Sequence, residues 1–173
     1  SVIIDESNYV EPGLPSFVEK MDKNTYQAIQ GTHIVSKDIV FPHGANLVIN
    51  KGVTIRLDKG VSLLINGGLS VNGSKESPVK IINNNANEIF GSIGVIGDGT
   101  SMVNIRFLEI YGGNEDVING IHLSGALSIH NHKSVTIENS NLHHNSADDG
   151  VNIKNANFLV RNNKFYANKA DQI

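Results

Sequence analysis

A chain of 173 residues with 14 Lys and Arg against 17 Asp and Glu is mildly acidic, and it contains no cysteine. Disulfides and thiolate metal sites are therefore excluded, and the charge offers no footprint for nucleic acid or an anionic membrane. No apolar run approaches the length of a bilayer span, and no composition shift divides the chain into two domains.

Residues 1–32 read as a cap segment. Ser16 with Glu19 three residues on is a capping-box pattern, and Pro15 precedes it, so the sequence predicts a short α-helix over 17–22. From His33 the pattern changes to short alternating strands: HIVSKDIVF, ANLVIN, VTIRLD, VSLLING, LSVNG and PVKIINN. Their separators, PHG, NKG, DKG, NGG and NGSKES, are turn chemistry, in which Gly and Asn supply left-handed backbone. Apolar residues at alternate positions, such as Val53, Ile55 and Leu57, predict one buried face per strand.

A second block covers 90–173 and repeats itself. Residues 137–150 lie over 160–173 at an offset of 23, setting Ile137 on Val160, Asn139 on Asn162, Leu142 on Phe165, Asn145 on Asn168 and Asp148 on Asp171. At an offset of 32, Val103 falls on Val135, Ile105 on Ile137, Ile110 on Leu142, Gly113 on Asn145 and Asp116 on Asp148. The nine extra residues are expected in 124–134, so that Gly120-Ile121-His122-Leu123 corresponds to Gly150-Val151-Asn152-Ile153. A period of this size is the mark of stacked repeats. Ile105, Ile137 and Val160, and Ile110, Leu142 and Phe165, are the expected core stacks. The Asn139/Asn162 and Asn145/Asn168 pairs are expected amide ladders.

The order DIVFPHGANLVINKGVTIRLDKGVSLLINGGLSVNGSKESPVKI, followed by FGSIGVIGDGTSMVNIRFLEIYGG, resembles the first turns of bacterial right-handed parallel β-helix proteins. The later INGIHLSGALSIHNHKSVTIENSNLHHNSADDGVNIKN is similar to β-helix regions found beside spore-coat-type kinase-like domains in bacterial surface proteins. The resemblance implies an all-β fold, a right-handed parallel β-helix (solenoid) over 33–173 with a short N-terminal α-helical cap. It also implies a secreted or cell-surface location. Ile173 falls within a turn, so the solenoid is expected to be truncated at its C-terminal end.

Three groups of residues carry chemistry. The offset of 23 sets Asp171 about 4.8 Å from Asp148, beside Asp149. Such a trio is ordinary turn chemistry, or a set of calcium ligands, or a catalytic acid group with Lys154 or Arg161 as base in a polysaccharide lyase or glycoside hydrolase. His122, His130, His132, His143 and His144 form the second group. His143 and His144 are expected on opposite faces of a strand, whereas His130 and His132 share one. The third is an aligned outward pair, His143 and Tyr166, whose rings suit sugars. Phosphate-loop, G-x-S-x-G and H-E-x-x-H patterns are absent.

The expected function is a non-catalytic structural, carbohydrate-binding or surface-binding module without a cofactor, calcium being the one ion the acids would hold. Two alternatives stay open: the polysaccharide-cleaving enzyme, and an interaction module that assembles through its open C-terminal turn. Polysaccharide is the expected partner; nucleic acid and a membrane span are not.

Overall fold

A computed structural model of the chain describes residues 9–169. Among these, every regular element is a strand. The chain opens with a hairpin of β1 (Val18–Lys20) and β2 (Thr25–Ala28). It then shuttles between two sheets: β3 (Gly31–Val35), β4 (Ile39–Asn50), β5 (Val53–Leu57), β6 (Leu63–Asn72), β7 (Val79–Asn83), β8 (Ile93–Ile96), β9 (Met102–Arg106) and β10 (Leu108–Tyr111). A second hairpin, β11 (Asp116–Ile118) with β12 (Ile121–Leu123), interrupts the pattern. It resumes through β13 (Gly125–Glu138), β14 (Asn141–His143), β15 (Asp149–Arg161) and β16 (Lys164–Tyr166).

One sheet runs β1-β2-β4-β6-β8-β13-β15 with β9 beside β6 and β13; the other runs β3-β5-β7-β10-β14-β16. Apart from the two hairpins, every pair is parallel. The core lies between the sheets. In β5, Val53, Ile55 and Leu57 are fully buried while Thr54 and Arg56 face outward, as alternation demands. Each buried Leu or Ile contributes roughly 1.5–3 kcal/mol.

The expected right-handed parallel β-helix solenoid with an α-helical cap is corrected on two counts. First, no helix exists among the described residues, and residues 17–22 hold strand β1 instead. Six residues are too few to offset helix nucleation, whereas Asp22 closes a tight hairpin. Its Oδ1 accepts from the backbone N–H of Asn24 at 3.0 Å and Thr25 at 2.8 Å. Second, the middle of the larger sheet is not a simple ladder. Strands β6, β8, β13 and β9 pair in a closed four-strand ring, because residues 97–101 split what is one continuous strand in the neighbouring passes.

The two sequence offsets reappear as strand register. Ile105 pairs with Ile137 and Ile137 with Val160, while Ile110, Leu142 and Phe165 align in the smaller sheet. The corners obey the same spacing. Phe107, Asn139 and Asn162 are all left-handed (φ +52°, +53°, +56°), and so are Gly112, His144 and Ala167 (φ +84°, +52°, +53°). Asn139 and Asn162 thus serve the corner through their backbone, not the expected amide ladder. The Asn145 ladder does form: its Nδ2 donates to Asn168 Oδ1 at 3.0 Å, and its Oδ1 accepts from Gly113 N–H at 2.8 Å.

The expected insertion is misplaced by about ten residues. Residues 125–138 form strand β13, whose register shifts between His132 and Ser134, and Leu127, not Ile121, lies opposite Val151. The extra length is the β11–β12 hairpin, turned by Asn119 and Gly120, both at positive φ. Such an Asn-Gly pair is the standard two-residue hairpin turn. The hairpin lies on the outer face of the larger sheet, where Ile118 and Leu123 pack with Val40 and Leu64 in a second apolar cluster. Asn119 clasps Val10, accepting its N–H and donating to its C=O, each at 2.8 Å. Asp116 sits at the hairpin foot, where its Oδ2 accepts the Ser62 hydroxyl at 2.5 Å, and so does not stack under Asp148.

Candidate functional site

The predicted acidic trio falls only partly within the described residues. Asp148 is exposed, Asp149 is half-buried, and Asp171 lies outside the described residues. Asp149 is tied down: its Oδ2 accepts from Asn152 Nδ2 at 3.1 Å and from the Ser124 hydroxyl at 3.3 Å. Lys154 follows five residues later on β15, roughly 16 Å away at the rise of a strand. Arg161 is farther still, in an Arg106–Glu138–Arg161 row across three strands. Glu138 is nearly buried and takes an ion pair from Arg161 and another, at 3.8 Å, from Arg106. Among the described residues, no three His, Cys, Asp or Glu side chains converge.

A groove forms instead where residues 97–101 swing out between β8 and β9. Its volume is about 300 Å³, and its walls are His43, Asn46, Asn66, Asp98, Thr100 and Ser101. Gly67, Gly68 and Gly97 form its floor. They are glycines for steric reasons: a Cβ on Gly67 would lie 2.0 Å from the Ala45 carbonyl oxygen. The opposing wall is the irregularity in β4 between Phe41 and Ala45, held by Asn66 Nδ2 donating to the Phe41 carbonyl at 3.0 Å.

Asp98 shapes the loop. Its Oδ1 accepts from Thr100 Oγ1 at 2.7 Å and from the N–H of Thr100 at 2.8 Å and Ser101 at 3.2 Å. These bonds to the charged form, led by the Thr100 hydroxyl, hold its carboxyl below the usual range. Beneath the loop, His132 is only 3% exposed. Its Nε2 donates to the Val95 carbonyl at 3.1 Å, so its Nδ1 accepts the Ser101 hydroxyl at 3.0 Å. His130 does not share that face. Asn131 between them is left-handed (φ +62°), and His130 Nε2 meets Asn152 Oδ1 at 3.1 Å.

Burial pushes both imidazoles below their ordinary value; the hydrogen bond to Val95 opposes this at His132, and the one to Asn152 opposes it at His130. The fold therefore favours the neutral rings. Their stabilising contribution is complete above the unfolded value of about 6.5 and is lost as pH falls through the lowered folded values. Thermal unfolding between pH 7.5 and 5 is expected to show a falling melting temperature. Replacing His130 and His132 by glutamine flattens that slope; an unchanged slope refutes the assignment.

On the smaller sheet, Tyr111, His143 and Tyr166 stack in register. Ring centroids are 5.5 Å and 4.7 Å apart, and the second pair is within 7° of parallel. His143, the middle ring, has both of its faces covered. His144 was expected on the opposite face, but its left-handed corner swings it beside His143, Nδ1 to Nδ1 at 2.8 Å. His143 Nε2 donates to Glu109 Oε1 at 3.1 Å, and Glu109 also pairs with Lys80 at 3.5 Å.

The groove was not foreseen from the residues. Gly97-Asp98-Gly99 reads as a plain turn, and only the unequal offsets of its flanks (Leu63 to Ile93, Leu69 to Val103) reveal an excursion. No family model, curated protein or solved structure matches the chain. Among the described residues, no helix is long and apolar enough to cross a membrane.

Proposed function

We propose that this all-β chain is a non-catalytic binding module of a secreted or cell-surface bacterial protein, and that its groove takes a carbohydrate. The carrying observation is the groove itself: amides, hydroxyls, an imidazole and a carboxylate converge above a floor with no side chains. Its volume is at the lower end for small-molecule sites, and a few fixed polar groups are what orient a polyhydroxylated ligand. Asn offers a donor and an acceptor in one plane, and Asp98 offers acceptors, a match for neighbouring sugar hydroxyls. Of the sequence's candidate sugar platform, His143 and Tyr166, the His143 ring has both faces covered by Tyr111 and Tyr166.

The test is a titration with neutral and uronate-containing oligosaccharides, followed by NMR shifts of the groove glycines. Saturable binding is expected, weakened about tenfold by Asn46→Ala and by Asp98→Asn, as loss of one or two hydrogen bonds predicts. Binding that ignores both substitutions, or no saturable shift at Gly67, Gly68 and Gly97, refutes the proposal.

A further inference from the structure

Resting on the glycan reading of the groove, we propose that its preferred ligand is a cationic amino sugar, whose free ammonium group is held against residues 97–101. This wall has no hydrogen-bond donor left to offer. The N–H groups of Gly97 and Gly99 donate to the His130 and Asn131 carbonyls at 2.8 Å and 2.7 Å. Those of Thr100 and Ser101 turn inward to Asp98 Oδ1, as does the Thr100 hydroxyl, and the Asp98 N–H turns to its own carboxylate.

The Ser101 hydroxyl is committed by a residue behind the loop. His132 Nε2 faces the Val95 carbonyl, which can only accept, so that nitrogen carries the proton and Nδ1 is a lone pair. Ser101 therefore donates to His132 at 3.0 Å and shows the groove oxygen lone pairs alone. The wall thus presents one carboxylate and two hydroxyl oxygens, all of them acceptors: Asp98, Thr100 Oγ1 and Ser101 Oγ. No Lys or Arg side chain among the described residues lines the groove. Such a wall sets lone pairs against the carboxylate of a uronate, and a neutral hydroxyl meets it with a single donor. An ammonium group brings three donors and a positive charge. The other side differs: His43 and Asn46 on β4 carry donors as well as acceptors, which suits the hydroxyls of the same sugar.

The experiment titrates the full chain at pH 6.5 with the β-1,4 disaccharide of glucosamine, its N-acetylated form, cellobiose and a diuronate, read by NMR shifts of Gly67, Gly68 and Gly97. The free amine is expected to bind about tenfold more tightly than cellobiose or the N-acetylated form, and the diuronate more weakly than either. Asp98→Asn, whose amide oxygen can keep the loop's bonds, is expected to lower amine affinity about a hundredfold, to that of the neutral sugar. Circular dichroism confirms that the variant is folded. Long-range proton–nitrogen NMR of His132 in the free chain is expected to show a protonated Nε2 and a bare Nδ1. A proton on Nδ1 would free the Ser101 hydroxyl to donate and overturns the inference. Equal affinity for the amine and cellobiose, or a preference that survives Asp98→Asn, also overturns it while the glycan reading stands. Binding of none of the four sugars overturns both.

Discussion

Leu142→Ala is expected to destabilise the protein by about 4 kcal/mol, lowering its melting temperature by roughly 8–16 °C. Leu142 is fully buried and occupies the middle of the Ile110–Leu142–Phe165 stack, with a strand neighbour on each side. Three removed carbons leave a cavity that the parallel strands cannot close, because their spacing is set by backbone hydrogen bonds. The equivalent Phe165→Ala is the discriminating control. Phe165 packs against the core but is only half-buried, so its loss costs about 1–2 kcal/mol despite the larger side chain. Calorimetry of the two variants checks the ordering. Equal losses would mean that the stack does not set the stability of this region.

Gly67→Ala is the second large effect, about 3 kcal/mol and roughly 6–12 °C. The added methyl would stand 2.0 Å from the Ala45 carbonyl oxygen and 2.9 Å from that residue's carbonyl carbon and nitrogen. Backbone, not a movable side chain, is in the way, so β4 and β6 must separate. The neighbouring Gly68→Ala meets mainly the Asn46 side chain, at 2.4 Å, and is expected to cost less because that amide can turn aside. Gly13→Ala, which meets nothing within 4 Å, should leave the melting temperature unchanged. A Gly67→Ala variant as stable as the wild type would show that the groove floor adjusts to the added methyl.

The strand register was legible in the sequence because equivalent positions face the core: Ile105 and Ile137 are fully buried, and the partly buried Val160 packs against the same cluster. What misled was local. Ser16 and Glu19 mimic a helix start, yet Asp22-Lys23-Asn24 is stronger turn chemistry, and the segment folds as a hairpin. Asn119-Gly120 announced the second hairpin, but aligning Gly120 with Gly150 hid it. The alternation rule failed at His144 and between His130 and His132 for one reason. Strand periodicity holds only while φ stays negative, and each failure contains a left-handed residue. The groove was hidden because its floor depends on which backbones approach one another, which no single strand reveals.

The paired left-handed corners have a consequence for how such a chain can diversify. Five positions separate the two corners in each of three passes: 107 to 112, 139 to 144 and 162 to 167. Over these three passes the smaller sheet behaves as a ruler of constant segment length. Added length lies outside these segments: residues 73–78 and 84–89 flank β7, and residues 97–101 and the β11–β12 hairpin lie on the side of the larger sheet. Length can therefore vary at the ends of these segments and in the larger sheet, while the ruled segments vary through their outward side chains. The groove, bordered by residues 97–101, is therefore open to remodelling by loop growth.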